Sequence, residues 1–276
     1  MRKFETLKPK SKLLQKYISY YYLDIADDLA YSTEYICYPH YNNTISLYKN
    51  HNVIFKDKHS IITYQNQANP LQIYTPIRET ILKVTQTGAV HKIGIVFNPF
   101  GINQFLQNEL NMSQRISSPL FVFFSNEFII SLFNEDSFAN IIELLDDQLL
   151  KKINPVSNQY IEKALQVFNA NFNEFSIDEL AELKLGISRK HLTRLFKKYI
   201  GTTPQKYRSI VRFRKLMSNK FNQIDEVNFT LLSNEVNYAD QSHFIKACKQ
   251  FTGLTPKQFF KEGKVIGSED TFWNFG

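Results

Sequence analysis

Between Ser188 and Lys220 the chain places eleven Lys or Arg and no Asp or Glu. Lys190, Thr193, Arg194 and Lys197 recur at the spacing of one helical face, and Leu192, Leu195, Phe196 and Tyr199 at the spacing of another. Such a helix has an apolar side to bury and a basic side with nothing to neutralise it, so its natural partner is a polyanion. An isolated basic run is more often a solvated face. Two further features speak against that here: the cap-and-turn residues around the helix, and a second copy downstream.

Ser176-Ile177-Asp178-Glu179 is a capping box, with serine at the N-cap and glutamate at N3. The helix it opens stops near Gly186, Ser188 caps the basic helix, and Gly201 ends it. Thr203-Pro204 starts another helix, with threonine as N-cap and proline at N1. Helix, short glycine-containing turn, helix is the helix-turn-helix layout. The pattern returns at an offset of 52: Ser176 matches Asn228, Leu180 Leu232, His191 His243, Leu192 Phe244, Lys197 Lys249, and Gly201-Thr202-Thr203-Pro204 matches Gly253-Leu254-Thr255-Pro256. Two units joined by a helix through Val211, Phe213, Leu216 and Met217 account for this. In the second unit Phe244, Ala247, Cys248 and Phe251 form the inward stripe, and Ser242, Ile245, Lys246 and Lys249 the outward one. Asn237 stands where the turn needs a residue tolerant of positive φ.

The rest of the chain must position these helices. Residues 1–154 carry a net charge of +1 and residues 155–276 of +6, so the polyanion partner belongs to the C-terminal part. Residues 1–100 read as β-rich, with candidate strands at 17–24, 34–38, 44–49, 53–56, 60–64, 71–74, 81–86 and 90–97. The pattern then turns helical: Ile102–Leu110, Glu127–Phe133, Phe138–Lys152 capped by Ser137, and Asn158–Phe172. Asn154-Pro155 is the expected domain boundary, since proline and its predecessor both resist helix. The expected fold is α+β: a β-rich N-terminal domain with trailing helices (1–154), then an all-α domain of two helix-turn-helix units and a linker helix (155–262), then a tail (263–276).

No apolar run reaches membrane-spanning length and no signal-peptide h-region follows the basic N-terminus. Two distant cysteines make no disulfide framework. All this fits the cytoplasm. Cys37, His40, His51 and His59, spaced by three, eleven and eight residues, match no established metal site. No phosphate loop, G-x-S-x-G or H-E-x-x-H is present, so neither an enzyme nor a cofactor is expected. Tyr20, Tyr21, Tyr22, Tyr31, Tyr35, Tyr38 and Tyr41 could line a pocket; the preferred reading is strand residues on a half-buried sheet.

From Ser176 to Phe260 the chain resembles the DNA-binding domain of the AraC/XylS family of bacterial transcription regulators. The resemblance rests on Asp240-Gln241-Ser242-His243-Phe244, Lys249 and Gly253-Leu254-Thr255-Pro256, with Leu192-Thr193-Arg194-Leu195-Phe196-Lys197 and Gly201 in the first unit. Gly94-Ile95-Val96-Phe97-Asn98-Pro99-Phe100-Gly101 more faintly resembles the N-terminal domain of poorly characterised members. Three differences stand out. The family usually has four positions from the Ala181-type residue to the turn glycine, and Gly186 lies five away; Asn237 replaces a glycine; Cys248 replaces a phenylalanine.

The resemblance implies two recognition helices, about 189–199 and 241–251, in successive major grooves. Base-reading positions would be Lys190, Thr193 and Arg194, then Gln241, Ser242 and Lys246. The outward Ile245 would meet a thymine methyl or merely cover the core edge. Arg or Lys pairs with guanine O6/N7, and Gln with adenine. Arg189, Lys197, Lys198, Lys206, Arg208, Arg212 and Lys249 are the candidate phosphate contacts, with Arg214 and Lys215 as further cations of the same run. The expected function is sequence-specific transcription regulation, activation included, tuned through the N-terminal domain; the alternative is a non-specific architectural DNA binder. Double-stranded DNA is the expected partner. RNA polymerase, a small-molecule effector and a homodimer are the further partners this reading allows.

Overall fold

A computed structural model describes residues 2–171, 175–221, 241–262, 264–266 and 272–274. Ten strands form the N-terminal part: β1 Lys3–Leu7, β2 Ile18–Ala26, β3 Ser32–Cys37, β4 Asn43–Tyr48, β5 His51–Lys56, β6 His59–Tyr64, β7 Leu71–Thr75, β8 Leu82–Thr87, β9 Val90–Phe97 and β10 Ile116–Ser117. They make two sheets. The first runs β1-β2-β9-β4-β7-β10, and the second carries β3-β8-β6-β5. All pairings among these strands are antiparallel except β6 with β8.

The period-2 pattern decides which face each residue takes. Tyr20 and Tyr22 of β2 enter the core between the sheets with Tyr35, Tyr48, Ile73 and Val84. Tyr21 and Leu23 face the other way, onto helices α1 (Asn126–Leu132) and α2 (Phe138–Lys152). The first sheet is therefore covered on both faces, which is why all six residues of β4 are buried. The second is covered on one, so β8 alternates buried and half-buried. Gly94 permits this packing, since a Cβ there would lie 1.9 Å from the Tyr22 ring.

Of the tyrosines singled out in the sequence, Tyr20, Tyr21, Tyr22 and Tyr35 are strand residues, but buried rather than on a half-buried face, while Tyr31, Tyr38 and Tyr41 lie outside the strands; Tyr22 and Tyr35 also line a small inter-sheet cavity with Tyr48. Ser137 caps α2 as expected, accepting from Asn140 N. Strand β1 lies outside the expected set; its half-exposed residues pair only at the sheet edge and carry a weak alternation.

The expected helix at Ile102–Leu110 does not form. A 3-10 turn, Ile102–Gln104, takes its place. The Gln104 carbonyl accepts from Asn154 N at 2.8 Å, which removes the acceptor the next helical turn would use. The Gln104 side chain also holds Val156 N and O at 2.9 and 3.0 Å.

Helix α3 (Gln159–Asn171) leads into α4 (Ile177–Glu179, continued by a π turn over Leu180–Lys184), α5 (Arg189–Tyr199), α6 (Pro204–Phe221), α7 (Gln241–Thr252) and α8 (Pro256–Glu262). Residues 264–266 and 272–274, expected as a tail, form β11 and β12, which pair together; β12 joins β3 through Trp273 and Ile36. Among the described residues no helix is long and apolar enough to cross a membrane, and no group of three His, Cys, Asp or Glu is placed to hold a metal.

Candidate nucleic-acid interface

The first helix-turn-helix is built by its caps. Ser176 Oγ accepts from Glu179 N at 3.1 Å, and the Glu179 carboxylate accepts from Ser176 N at 2.7 Å. Those bonds hold the Glu179 carboxyl below its usual range. Ser188 Oγ accepts from His191 N at 3.2 Å and opens α5.

Between the two helices the chain carries one residue more than the family spacing. A π turn absorbs it: Leu185 N donates to Leu180 O at 3.1 Å, five residues back. Ile187 N then donates to Ala181 O at 3.0 Å, and Gly186 sits at φ +65°. The extra residue bulges outward, and Leu183 is 74% exposed.

Helix α5 divides its residues as its periodicity requires. Leu192 and Phe196 are fully buried; Phe196 meets Phe168 edge-on at 5.9 Å and Tyr207 at 5.8 Å. Lys190, Arg194 and Lys197 are exposed and Thr193 is half-buried. With Ser188 and His191 they rim a shallow depression on the outer surface. Lys190, Arg194 and Lys197 take part in none of the ion pairs found among the described residues.

The candidate phosphate contacts do not form one class. Arg189 pairs with Asp178 at 3.0 Å, Lys198 with Glu109 at 3.0 Å, and Lys206 with Glu79. Arg208 donates to Phe175 O at 2.8 Å, and burial lowers its pKa. Arg212 is half-buried.

Arg214 corrects the expectation of a phosphate contact or solvated cation. It is 3% exposed and donates to Pro39 O at 2.6 Å and Tyr38 O at 3.2 Å. The sequence carries a signal for this: Ile210, Phe213, Arg214 and Met217 follow i, i+3, i+4, i+7, which puts this cation inside the apolar stripe of α6. Lys215 is exposed.

In the second unit Ser242, Ile245, Lys246 and Lys249 are exposed, while Cys248 and Phe251 are buried. Burial pushes the Cys248 thiol up to about 11, in keeping with a packing role. Gln241 opens α7, but its side chain, that of Phe244, and all of Asn237 lie outside the described residues.

Periodicity gives no sign of the surface that joins this domain to the β-rich part. Glu79 accepts from Thr202 Oγ1 and from Lys206 Nζ. Asn103 Nδ2 donates to Tyr199 O at 2.9 Å, and Phe100 meets the Tyr199 ring edge-on at 5.6 Å. Tyr38 meets Phe259 edge-on at 4.8 Å. Both units are thus touched by the N-terminal part.

A family model described as "Helix-turn-helix domain" matches residues 183–262. The match marks this C-terminal stretch as helix-turn-helix in sequence. The chain is 25% identical over 125 residues to the Msm operon regulatory protein of Streptococcus mutans, covering 45% of this chain and 44% of that one. It is 26% identical over 122 residues to the HTH-type transcriptional regulator GbdR of Pseudomonas aeruginosa, covering 43% and 31%. It is 32% identical over 90 residues to an uncharacterized HTH-type transcriptional regulator of Haemophilus influenzae, covering 32% and 29%. The match thus spans less than half the length of each. Among solved structures, ToxT from Vibrio cholerae aligns over 94% of this chain and 97% of its own, at 10% identity and a TM-score of 0.47.

Proposed function

We propose that the protein is a sequence-specific DNA-binding transcription regulator that lays α5 and α7 in successive major grooves. The observation that carries this reading is the outer face of α5. There Lys190, Arg194 and Lys197 are exposed beside Thr193, while the neighbouring cations Arg189, Lys198 and Lys206 are held by carboxylates. Lys190, Thr193 and Arg194 read bases from α5; Gln241, Ser242, Ile245 and Lys246 read them from α7. Lys197 and Lys249 hold phosphates directly. Arg189, Lys198 and Lys206 do so after exchanging one anion for another, an inexpensive trade for exposed pairs. Arg208 and Arg212, both half-buried, add long-range attraction.

Residues 1–154 act as the sensing domain and residues 155–262 as the reading domain. The contacts of Glu79, Asn103 and Tyr38 give the first a hold on the second. RNA polymerase, a small effector and a second copy of the chain are the further partners of a regulator so built.

Selection of binding sites from random duplex DNA, followed by competition with unselected DNA, tests the proposal. Enrichment of one motif, with selected DNA bound about a thousandfold more tightly, is expected. Equal affinity for both pools defeats it and leaves a non-specific architectural binder.

A further inference from the structure

Residues 105–110 and 119–123, together with Lys152 at the end of α2, line a groove of about 300 Å³. That is the lower end of the range for small-molecule sites, about 300–1,000 Å³. Phe105, Phe121 and Phe123 supply its buried lining. The rings of Phe121 and Phe123 are stacked at 6.3 Å. Leu120 and Val122, also on the groove, are 83% and 67% exposed. A single exposed leucine needs no explanation; two open apolar side chains beside an aromatic groove mark a surface that something covers.

Lys152 is the one cation on this groove. It is half-buried, and among the described residues it has neither an ion pair nor a hydrogen bond. Its Nζ sits 5.1 and 6.0 Å from the ring centres of Phe123 and Phe124. The rings attract the charge, but they leave its three N–H donors without the oxygen acceptors they would have in water. Burial lowers the Lys152 pKa, and no carboxylate raises it again. The one acid on the groove, Glu109, is held by Lys198 of α5 at 3.0 Å. The groove thus joins an aromatic lining to an ammonium group with donors to spare.

We propose that this groove binds a small aryl carboxylate of about ten heavy atoms. Its carboxylate accepts from Lys152 Nζ, its ring packs on Phe105, Phe121 and Phe123, and Leu120 and Val122 cover it. The volume sets the size, since the space amounts to about ten water-sized positions. Ring on ring gains more than burial alone, which favours an aryl over an alkyl body. A carboxylate supplies the acceptors that Lys152 lacks, in a setting where a charge-assisted bond is stronger than a neutral one. The site gives the small effector of the proposed function a chemical class and a place. As an effector site it rests on that function; as a binding site it does not.

Titration calorimetry and thermal unfolding of the full chain with sodium hydrocinnamate test the site. Saturable binding is expected, with Tm raised by about 2 °C at a tenfold excess over Kd. Hydrocinnamamide, the neutral isostere, is expected to bind about tenfold more weakly, because it cannot answer the charge. Acetate, which has the charge but no ring, is expected to give no measurable binding at the same concentration. Lys152→Met keeps an apolar stem and should bring hydrocinnamate and its amide to equal affinity, a loss of discrimination that a merely loosened fold would not give. Should Lys152→Met not fold, Val122→Glu carries the test: at an exposed position it sets a like charge on the groove and should weaken hydrocinnamate about tenfold or more. The proposal falls if hydrocinnamate does not saturate, if its amide or acetate matches it, if folded Lys152→Met keeps the discrimination, or if folded Val122→Glu keeps the wild-type affinity. DNA affinity is read separately. Hydrocinnamate binding without DNA binding defeats only the proposed function, and DNA binding without hydrocinnamate binding defeats only this site.

Discussion

Glu79, in the segment after β7, holds Lys206 at the start of α6, with the Thr202 hydroxyl on the same carboxylate. A carboxylate of the β-rich part thus occupies a cation that, under the proposed function, would hold a DNA phosphate. Glu79→Gln keeps the size of the side chain and removes its charge. The expected result is a rise of about two- to threefold in affinity for unselected DNA at low salt, shrinking as salt rises, because an exposed pair is worth little and is screened. Fluorescence anisotropy at two salt concentrations reads it. An unchanged affinity would mean that Lys206 does not face the DNA.

Arg194 and Lys197 are both exposed on the outer face of α5, yet they should behave differently. Arg194→Ala should cost about 1–3 kcal/mol at a selected site and relax preference at one base pair. Lys197→Ala should weaken every sequence alike and reduce the salt slope by about one. Lys198 is a poorer control for phosphate contact, because its ion pair with Glu109 is lost in the same substitution. Binding to a panel of single-base variants separates the two roles. If both substitutions weaken all sequences equally, base reading does not lie with Arg194.

How legible each part is in the sequence follows from where its determinants lie in the chain. The caps of Ser176, Ser188 and Ser137 are readable because a cap is a local bond between residues three apart. The two faces of α5 are readable from one helical period. Most strands of the sandwich show in the residue pattern, but their order does not, since pairings such as β2 with β9 join residues far apart in sequence. The failed helix after Phe100 belongs with these. Its residues suit a helix, and a distant amide, Asn154 N, takes the carbonyl that would have continued it. The docking surface around Glu79, Asn103 and Tyr38 leaves no periodic trace, because each partner comes from a different loop or helix end. Arg214 is the exception: a cation inside an apolar stripe marks a buried contact by its helical position alone.

Gly201 and Gly253 end α5 and α7 with φ +86° and +76°, a region where an L side chain is strained. The backbone penalty should be shared, and the surroundings should not. A Cβ at Gly253 meets nothing within 4 Å, whereas one at Gly201 would lie 2.2 Å from the Met112 carbonyl oxygen. Gly253→Ala is expected to cost about 1–2 kcal/mol. Gly201→Ala is expected to cost about 2–5 kcal/mol, because the helix end must also back away from the β-rich part. Urea unfolding of the two variants gives the comparison. Equal losses would show that Gly201 does not rest on Met112 in solution.

The π turn of α4 makes the extra residue of this chain testable by removal. Deleting Leu183, which is 74% exposed, takes away no buried contact. The bond from Leu185 N to Leu180 O, now closing a five-residue step, would close a four-residue step, which is the ordinary α-helical bond. The bond from Ile187 N to Ala181 O would shorten from a six- to a five-residue step, the usual outer bond of a glycine-terminated helix. Gly186 would then stand at the family spacing. Stability is therefore expected to change by no more than about 1 kcal/mol in either direction, and selected-site affinity by less than about threefold. A loss of cooperative unfolding would mean that the bulge itself is required. A large loss of DNA affinity with stability intact would mean instead that the extra residue sets the angle at which α5 meets the groove.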